Sequence, residues 1–287
     1  MDTSVLTFLA APFVASLILT VIHAYLGVHV VERGVIFVDL SLAQIAALGA
    51  TIGLLLPITG GDPHSPVTYW ISLAFTFLGA FIFSTIRSRR ARIPQEAIIG
   101  ICYAVASAAA ILAMSKATSE SEHLKDMLVG NILAVSWTDV LKTAILYGAI
   151  GLFHYVCRHK FLAISMDHKK AEAEGISVKV WDFLFYASFG FVVTSSVSIA
   201  GVLLVFCDLI VPSVAAMLYA DSIGRRLAIG WTMGTVVSAL GVYLSLQLDL
   251  PTGATIVCTF GLVLILMAAV RPLLQRKAPV PELQRAD

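Results

Sequence analysis

Two carboxylates in this sequence lie within long apolar runs, where an unpaired charge is costly. Asp39 falls in the run 35–57 and Asp208 in Val202–Leu218. A carboxylate at bilayer depth costs at least about 2.5–3.5 kcal/mol on insertion scales, so such residues face protein or water and are retained for a function. Pro212 stands four residues after Asp208. It lacks the N–H that would otherwise bond the Asp208 carbonyl, so one residue offers both a carboxylate and a freed carbonyl oxygen. Both are good ligands for a hard cation. The other reading of Asp208 is a structural pairing with a nearby Ser, Thr or Lys. Asp39 lies close to Arg33 and is open to a structural ion pair or a pathway role. His23 is also placed within an apolar run, as a pore-facing imidazole or one bonded to a carbonyl in the core. His64, in Gly60-Gly61-Asp62-Pro63-His64, reads as a surface turn or an exposed imidazole able to ligate a metal ion.

The elements that must hold these side chains are membrane helices. The chain has 287 residues, of which 59% are apolar and 13% charged, with a mean hydropathy of +0.91. A soluble domain is about 25% charged, and a soluble fold of this composition would expose large apolar patches. Hydrocarbon leaves backbone groups without partners, so only helices or closed barrels span it. The apolar runs are long and continuous, which selects helices. They lie near 5–26, 35–57, 68–86, 97–115, 139–157, 181–199, 202–219, 227–247 and 253–271, and the sixth and seventh are parted only by Ala200-Gly201. The expectation is therefore an all-α polytopic bundle of eight or nine spans, with one of that pair open to being a half-span or re-entrant piece.

With the N-terminus outside, sixteen of the nineteen Lys and Arg residues fall in inside loops and only Lys116, Lys125 and Lys142 outside. Basic residues collect on the cytoplasmic side, so the N-terminus is expected outside and the C-terminus inside. An odd number of crossings places every basic loop on one side. The start Met1-Asp2-Thr3 lacks a positive n-region, so the first run is expected to stay in place. The four cysteines are widely spaced without a CxxC, which argues against disulfides and zinc fingers. The net charge of +1 gives no footing for nucleic acid. The whole of 1–287 reads as one transmembrane domain, with a cytoplasmic segment at about 158–180 and a cytoplasmic tail at 277–287. No GxxxxGK[ST] loop is present, so any ATP would be bound by a partner.

Five segments carry a resemblance, in order along the chain. They are Gly27-Val-His-Val-Val-Glu-Arg33-Gly34 with the small-residue helix ending Leu48-Gly49-Ala50; Gln95-Glu96-Ala97-Ile98-Ile99-Gly100; Met127 through Gly130 to Ser136; Gly201-Val-Leu-Leu-Val205 through Pro212 to Ala216; and Leu248-Asp249-Leu250-Pro251-Thr252-Gly253-Ala254. Together they resemble the zinc/manganese/iron (ABC-3) family of metal-ion ABC permeases over nearly the whole chain. The resemblance implies a type II-like ABC importer permease without covalent chemistry of its own. It further implies a second copy of the chain, an ABC ATPase inside, an extracytoplasmic metal-binding protein and a divalent metal as cargo, in a bacterial inner membrane. Glu96, Pro212 and Asp249 stand within matched segments and are the expected pathway or gating positions.

The same resemblance implies an Asp and a His four residues apart in the second span, where i and i+4 share one helix face. Here those positions hold Leu40 and Gln44. Asp39 does not restore the pair, because Asp39 and Gln44 are ~140° apart around a helix. The metal-facing set is thus expected to be Asp208, Gln44, Asp39 and His23.

Asp167-His-Lys-Lys-Ala171-Glu-Ala-Glu-Gly175-Ile176 has its own local logic. Asp167 is placed to cap a short helix, Ala171 to give it a close-packing face and Gly175 to end it in the left-handed region. It resembles the coupling helix that docks on the ATPase; a solvated loop helix is the other reading. Two further function classes fit these residues less well. A secondary transporter driven by an ion gradient is the alternative, but it usually carries paired broken helices in internal repeats, and no convincing repeat appears. An intramembrane enzyme needs a nucleophile–base pair or an HExxH-type site, and neither is present.

Overall fold

The computed structural model describes residues 3–59, 65–86, 94–115 and 132–275. Ten α-helices occupy them: α1 (Thr3–Arg33), α2 (Val38–Leu55), α3 (Pro66–Ile86), α4 (Gln95–Met114), α5 (Trp137–Val156), α6 (Arg158–Met166), α7 (His168–Ala173), α8 (Val178–Met217), α9 (Ile223–Leu248) and α10 (Thr252–Gln275). Short 3-10 turns stand at Pro57–Thr59 and Ile132–Ala134, and no strand occurs among the described residues. His64, the basic loop Arg87–Arg92, Lys116, Lys125, Met127–Gly130 and the tail at 277–287 lie outside the described residues.

Seven helices are long and apolar enough to cross a membrane, and an eighth candidate is α5 joined to α6 across a 74° bend. The path of α8 raises the number of passes. Its 40 residues would make a straight rod of about 60 Å, twice the hydrocarbon thickness. Instead Gly201 adopts φ 77°, ψ 160° within it, a region of backbone space essentially restricted to glycine. Asp182, near the start of α8, bonds Arg33. Just past its end, the Ala220 carbonyl accepts from Arg226, which pairs with Glu32. Glu32 and Arg33 are neighbours at the end of α1, so both ends of α8 return to one end of the bundle. The break expected at Ala200-Gly201 is real, and it folds α8 into two arms, 178–200 and 202–217. With the arms counted separately the described chain passes nine times between the two ends of the bundle.

The same geometry collects Arg33, Arg158, Lys160, Lys169, Lys170, Lys179, Arg225 and Arg226 at one end, in or beside the helix termini there. Helices α1 and α8 form the centre. The first runs against α5, α6, α8 and α9; the second also meets α2, α3, α9 and α10. Membrane helices lack a hydrophobic drive toward one another, so close approach through small residues holds them. Gly27 is the tightest such point: a Cβ there would stand 1.9 Å from the Leu209 carbonyl oxygen and 2.4 Å from Ser213 Oγ. The outward faces of α4 and α10 carry Ile101, Val105, Leu112, Leu262, Ile265 and Leu266, all exposed in this single chain. A lipid environment suits that surface.

Several boundaries differ from the sequence reading. Helix α1 continues through the Gly27 segment to Arg33, because backbone bonding in a helix is indifferent to the fall in hydropathy around His29, Glu32 and Arg33. Ser136, the last residue of the third matched segment, proves to be a helix cap. Its Oγ accepts from the Asp139 N–H while Asp139 returns a bond to the Ser136 N–H, a reciprocal capping box that starts α5.

Candidate functional site

Asp208 lies on the second arm of α8, one turn before Pro212, and is 2% exposed. Its Oδ1 has no hydrogen-bond partner, and no Lys or Arg among the described residues pairs with it. The structural pairing with Ser, Thr or Lys is thus not what holds this oxygen. Asp39, at the start of α2, is likewise buried with Oδ1 unpartnered. Both carboxylates lie within electrostatic reach of Cys207, as does Cys258 of α10. Buried oxygens without partners are uncommon in a folded protein and call for an explanation. No group of three or more His, Cys, Asp or Glu side chains among the described residues is arranged to hold a metal.

The pairing of Asp39 with Arg33, open in the sequence, does not occur. Arg33 turns instead to Asp182, with Nη1 to Oδ1 at 2.5 Å and both side chains wholly buried. Asp39 belongs to a different helix face and has Glu96 in its electrostatic surroundings. Glu96, at the start of α4, accepts the Phe37 N–H at 3.0 Å and so ties α4 to the entry of α2; its Oε2 has no partner.

Leu40 and Gln44, which replace the expected Asp and His, fall on one side of α2 with Leu48 and Ile52. All four are half-buried, whereas their helix neighbours Ser41, Ala43, Ile45 and Ala47 are buried. The expected ligand positions therefore look out of this chain. Gln44 makes no hydrogen bond to Asp208 or Asp39 among the described residues. His23 is wholly buried on α1, with Nδ1 2.7 Å from the Leu19 carbonyl and Nε2 unpartnered. That carbonyl bond is the core arrangement foreseen for it, and one ring nitrogen remains spare.

Three polar groups that the sequence reading did not single out form a broken chain down the centre. Tyr147 bonds Ser195 and Ser196 of α8. Tyr25 meets His154 Nδ1 at 3.3 Å, and His154 Nε2 bonds Ser188 at 2.8 Å. His29 Nδ1 and Arg33 Nε share Ser165 Oγ of α6 at 2.8 and 2.9 Å, and Arg33 continues to Asp182. The Arg33 guanidinium also stacks 3.9 Å from the Phe185 ring centre. A hydropathy profile hides this chain because its partners come from α1, α5, α6 and α8, far apart in sequence. The usable signal was that a buried Arg needs an acid, and Asp182 interrupts an apolar run.

The segment 167–176 folds as its residue types dictate. Asp167 caps α7, its Oδ1 accepting from the Lys169 and Lys170 N–H groups at 3.0 Å each. Those backbone bonds, the Lys170 one foremost, hold the exposed Asp167 carboxyl below its ordinary range. Ala171 is 2% exposed on the packed face. Gly175 adopts φ 83°, and the Ile176 N–H closes onto the Ala171 carbonyl at 3.0 Å, a left-handed helix termination. Lys169, Glu172 and Glu174 are exposed along the outer face.

Pro212 packs against Gly230 and Gly234 of α9. Asp249 caps α9 in the left-handed conformation (φ 53°, ψ 47°), which Asp and Asn tolerate better than most residues. That backbone is one structural reason for an Asp at this turn.

The chain matches the model of the ABC 3 transport family over residues 5–271. It is 24% identical over 255 residues to the manganese transport system membrane protein MntC of Listeria monocytogenes, covering 88% of this chain and 86% of that protein. It is 27% identical over 251 residues to a probable iron transport system membrane protein of Haemophilus influenzae, covering 87% and 89%. Its fold is similar to a chain of PsaBC from Streptococcus pneumoniae in complex with Fab, with a TM-score of 0.76 at 24% identity over 94% of this chain and 95% of that one. A family match spanning the nine-pass bundle, both arms of α8 and the capped helix α7 leaves one conclusion: this chain belongs to the ABC 3 transport family.

Proposed function

We propose that the chain is the membrane-spanning permease subunit of an ATP-driven importer that moves a divalent metal ion, manganese, zinc or iron, across the bacterial inner membrane by alternating access. The observation that carries this reading is the family match across 5–271, joined to relatives named for manganese and iron transport. Two copies would surround the pathway. An ABC ATPase would dock on the basic end and hydrolyse ATP, and an extracytoplasmic metal-binding protein would deliver the cargo at the other. Asp208 would supply the negative charge of the transit site, with Gln44, on the outward stripe of α2, as a neutral oxygen ligand facing the same pathway. Asp39 and His23 would flank it, and Glu96 at the α2–α4 junction, Pro212 on the second arm of α8 against α9, and Asp249 at the end of α9 would move with gating. A gradient-driven secondary transporter is the alternative; it would need no partner on α7.

The decisive experiment reconstitutes the chain with its ATPase and binding protein and measures ATP hydrolysis with Mn²⁺, Zn²⁺ and Fe²⁺. One of these should stimulate hydrolysis and enter the vesicles only with ATP. Uptake that follows an ion gradient without ATP would favour the secondary transporter instead.

Docking through α7 makes a separate prediction. Gly175→Val places a β-branched residue at φ 83°, where no neighbouring atom blocks the Cβ but the backbone is strained by about 1–3 kcal/mol. The end of α7 should re-form differently, and ATPase recovered with the permease should fall several-fold while membrane insertion is unchanged. Full co-purification and full transport would assign α7 to a solvated loop. Sidedness is checked by Ala173→Cys, expected to react with an impermeant thiol reagent only from the cytoplasmic side. Labelling from outside would invert the topology.

A further inference from the structure

Helix α5 stands off from the rest of the bundle. It meets α1 along one side and touches α8 only lightly, and the bend into α6 closes the gap at the basic end. Between α1, α5 and α9 this leaves an open crevice of about 740 Å³. Its walls are almost wholly apolar, with Leu17, Val21, Gly148 and Leu227 among them, and Tyr155, Arg158 and Trp231 also line it. Gly148 and Gly151 have nothing within 4 Å of where a Cβ would be, so the floor along α5 is vacant space, not a packed seam.

Three observations define what fits there. Along α5 the crevice runs from Ala144 to Tyr155, about 16 Å at the helical rise. That is the depth of one leaflet of a ~30 Å hydrocarbon core. It ends at the side of the bundle where the basic residues gather. At that end Arg158 is exposed, its guanidinium 4.4 Å from the Tyr155 ring centre and one nitrogen 3.5 Å from the Tyr155 carbonyl. No carboxylate among the described residues pairs with it. Trp231, 39% exposed, has its indole N–H bonded to the Val21 carbonyl at 3.0 Å, fixing the ring as a rigid wall of the groove. An apolar trough one leaflet deep that ends in an exposed guanidinium complements a tail joined to an anion.

We propose that this crevice is a binding site for one anionic phospholipid of the inner leaflet, its acyl chain along α1 and α5 and its phosphate on Arg158. Basic pockets between membrane helices on the cytoplasmic side bind such headgroups, and Tyr155 beside Arg158 is an aromatic of the kind that settles at the interface. The lipid fills the space that α5 leaves and ties it to α1 and α9, next to the bend that leads into α6 and α7. This inference rests on the membrane reading of the fold and on the basic end facing the cytoplasm.

Trp231 serves as the reporter. The full chain, reconstituted in vesicles of phosphatidylcholine, is titrated with brominated phosphatidylglycerol or brominated phosphatidylcholine. The Trp231 signal is taken as the difference between the unmodified chain and Trp231→Phe. Half-maximal quenching is expected at a roughly fivefold lower mole fraction of the anionic lipid, the selectivity that one basic side chain confers near a membrane surface. Arg158→Gln should remove that preference and Arg158→Lys restore most of it, while Gly151→Leu, which fills the floor, should weaken quenching by both lipids. Equal quenching by the two lipids, unmoved by Arg158→Gln, would overturn the site and leave the membrane fold intact. Absence of quenching by either would show the crevice covered by the second copy, and would overturn it too.

Discussion

Asp208→Asn is expected to abolish metal-stimulated ATP hydrolysis and uptake, a fall of tenfold or more, with folding unimpaired. The substitution keeps size and shape and removes the charge. If the carboxylate were structural, losing it would leave a former partner unsatisfied at a cost of about 1–3 kcal/mol. The structure shows no such partner on Oδ1, and the group is 2% exposed. Burying an unpaired carboxylate is itself unfavourable, so Asn should leave the melting temperature of the purified permease unchanged or raise it. A carboxyl group kept at that cost is what the proposed cation pathway would require. Lost transport with undiminished stability is therefore the expected pair of results. Lower expression and stability with normal transport per folded molecule would make Asp208 a structural residue and end its role in the pathway.

The legible part of the sequence was whatever depends on short range. Helices follow from apolar length, the break at Gly201 from a glycine between two runs, and α7 from a cap, a small residue and a terminating glycine. In each the cause lies within a few residues of the effect. The missing Asp/His pair was also visible, since Leu40 and Gln44 sit in a segment that aligns without gaps. What the sequence could not show was partner choice across the bundle. Arg33 has Asp39 six residues away and takes Asp182, 149 residues on, because α2 presents Asp39 to another face. The return of α8 to its starting end was foreshadowed only by the parity of the basic loops. The crevice beside α5 left no mark in composition, since a lipid-filled wall and a protein-filled wall use the same apolar residues.

Asp182→Asn should be among the most damaging single changes to stability in the chain. Arg33 and Asp182 are both wholly buried and bonded at 2.5 Å. Removing one partner of a buried pair leaves the other charge without compensation, at about 3–5 kcal/mol. Ser165 Oγ and the Phe185 face remain around the guanidinium, but a neutral hydroxyl and a ring do not replace a carboxylate. The apparent melting temperature should fall by ~6 °C or more, taking ~2 °C per kcal/mol for a chain of this size. The double change Arg33→Met with Asp182→Leu removes both charges in similar volume and should recover most of the loss, as apolar replacement of buried pairs often does. The position of the pair adds a functional readout. Arg33 joins the end of α1 to Ser165 on α6, which leads directly into α7, and to the start of α8, so this cluster links the helix placed to meet the ATPase with the two central helices of the bundle. The double variant, although refolded and stable, should bind the ATPase normally yet show transport per ATP hydrolysed reduced several-fold. Full coupling in the stable double variant would confine the cluster to holding the fold, and an unchanged melting temperature in Asp182→Asn would show that the buried pair does not bear on stability at all.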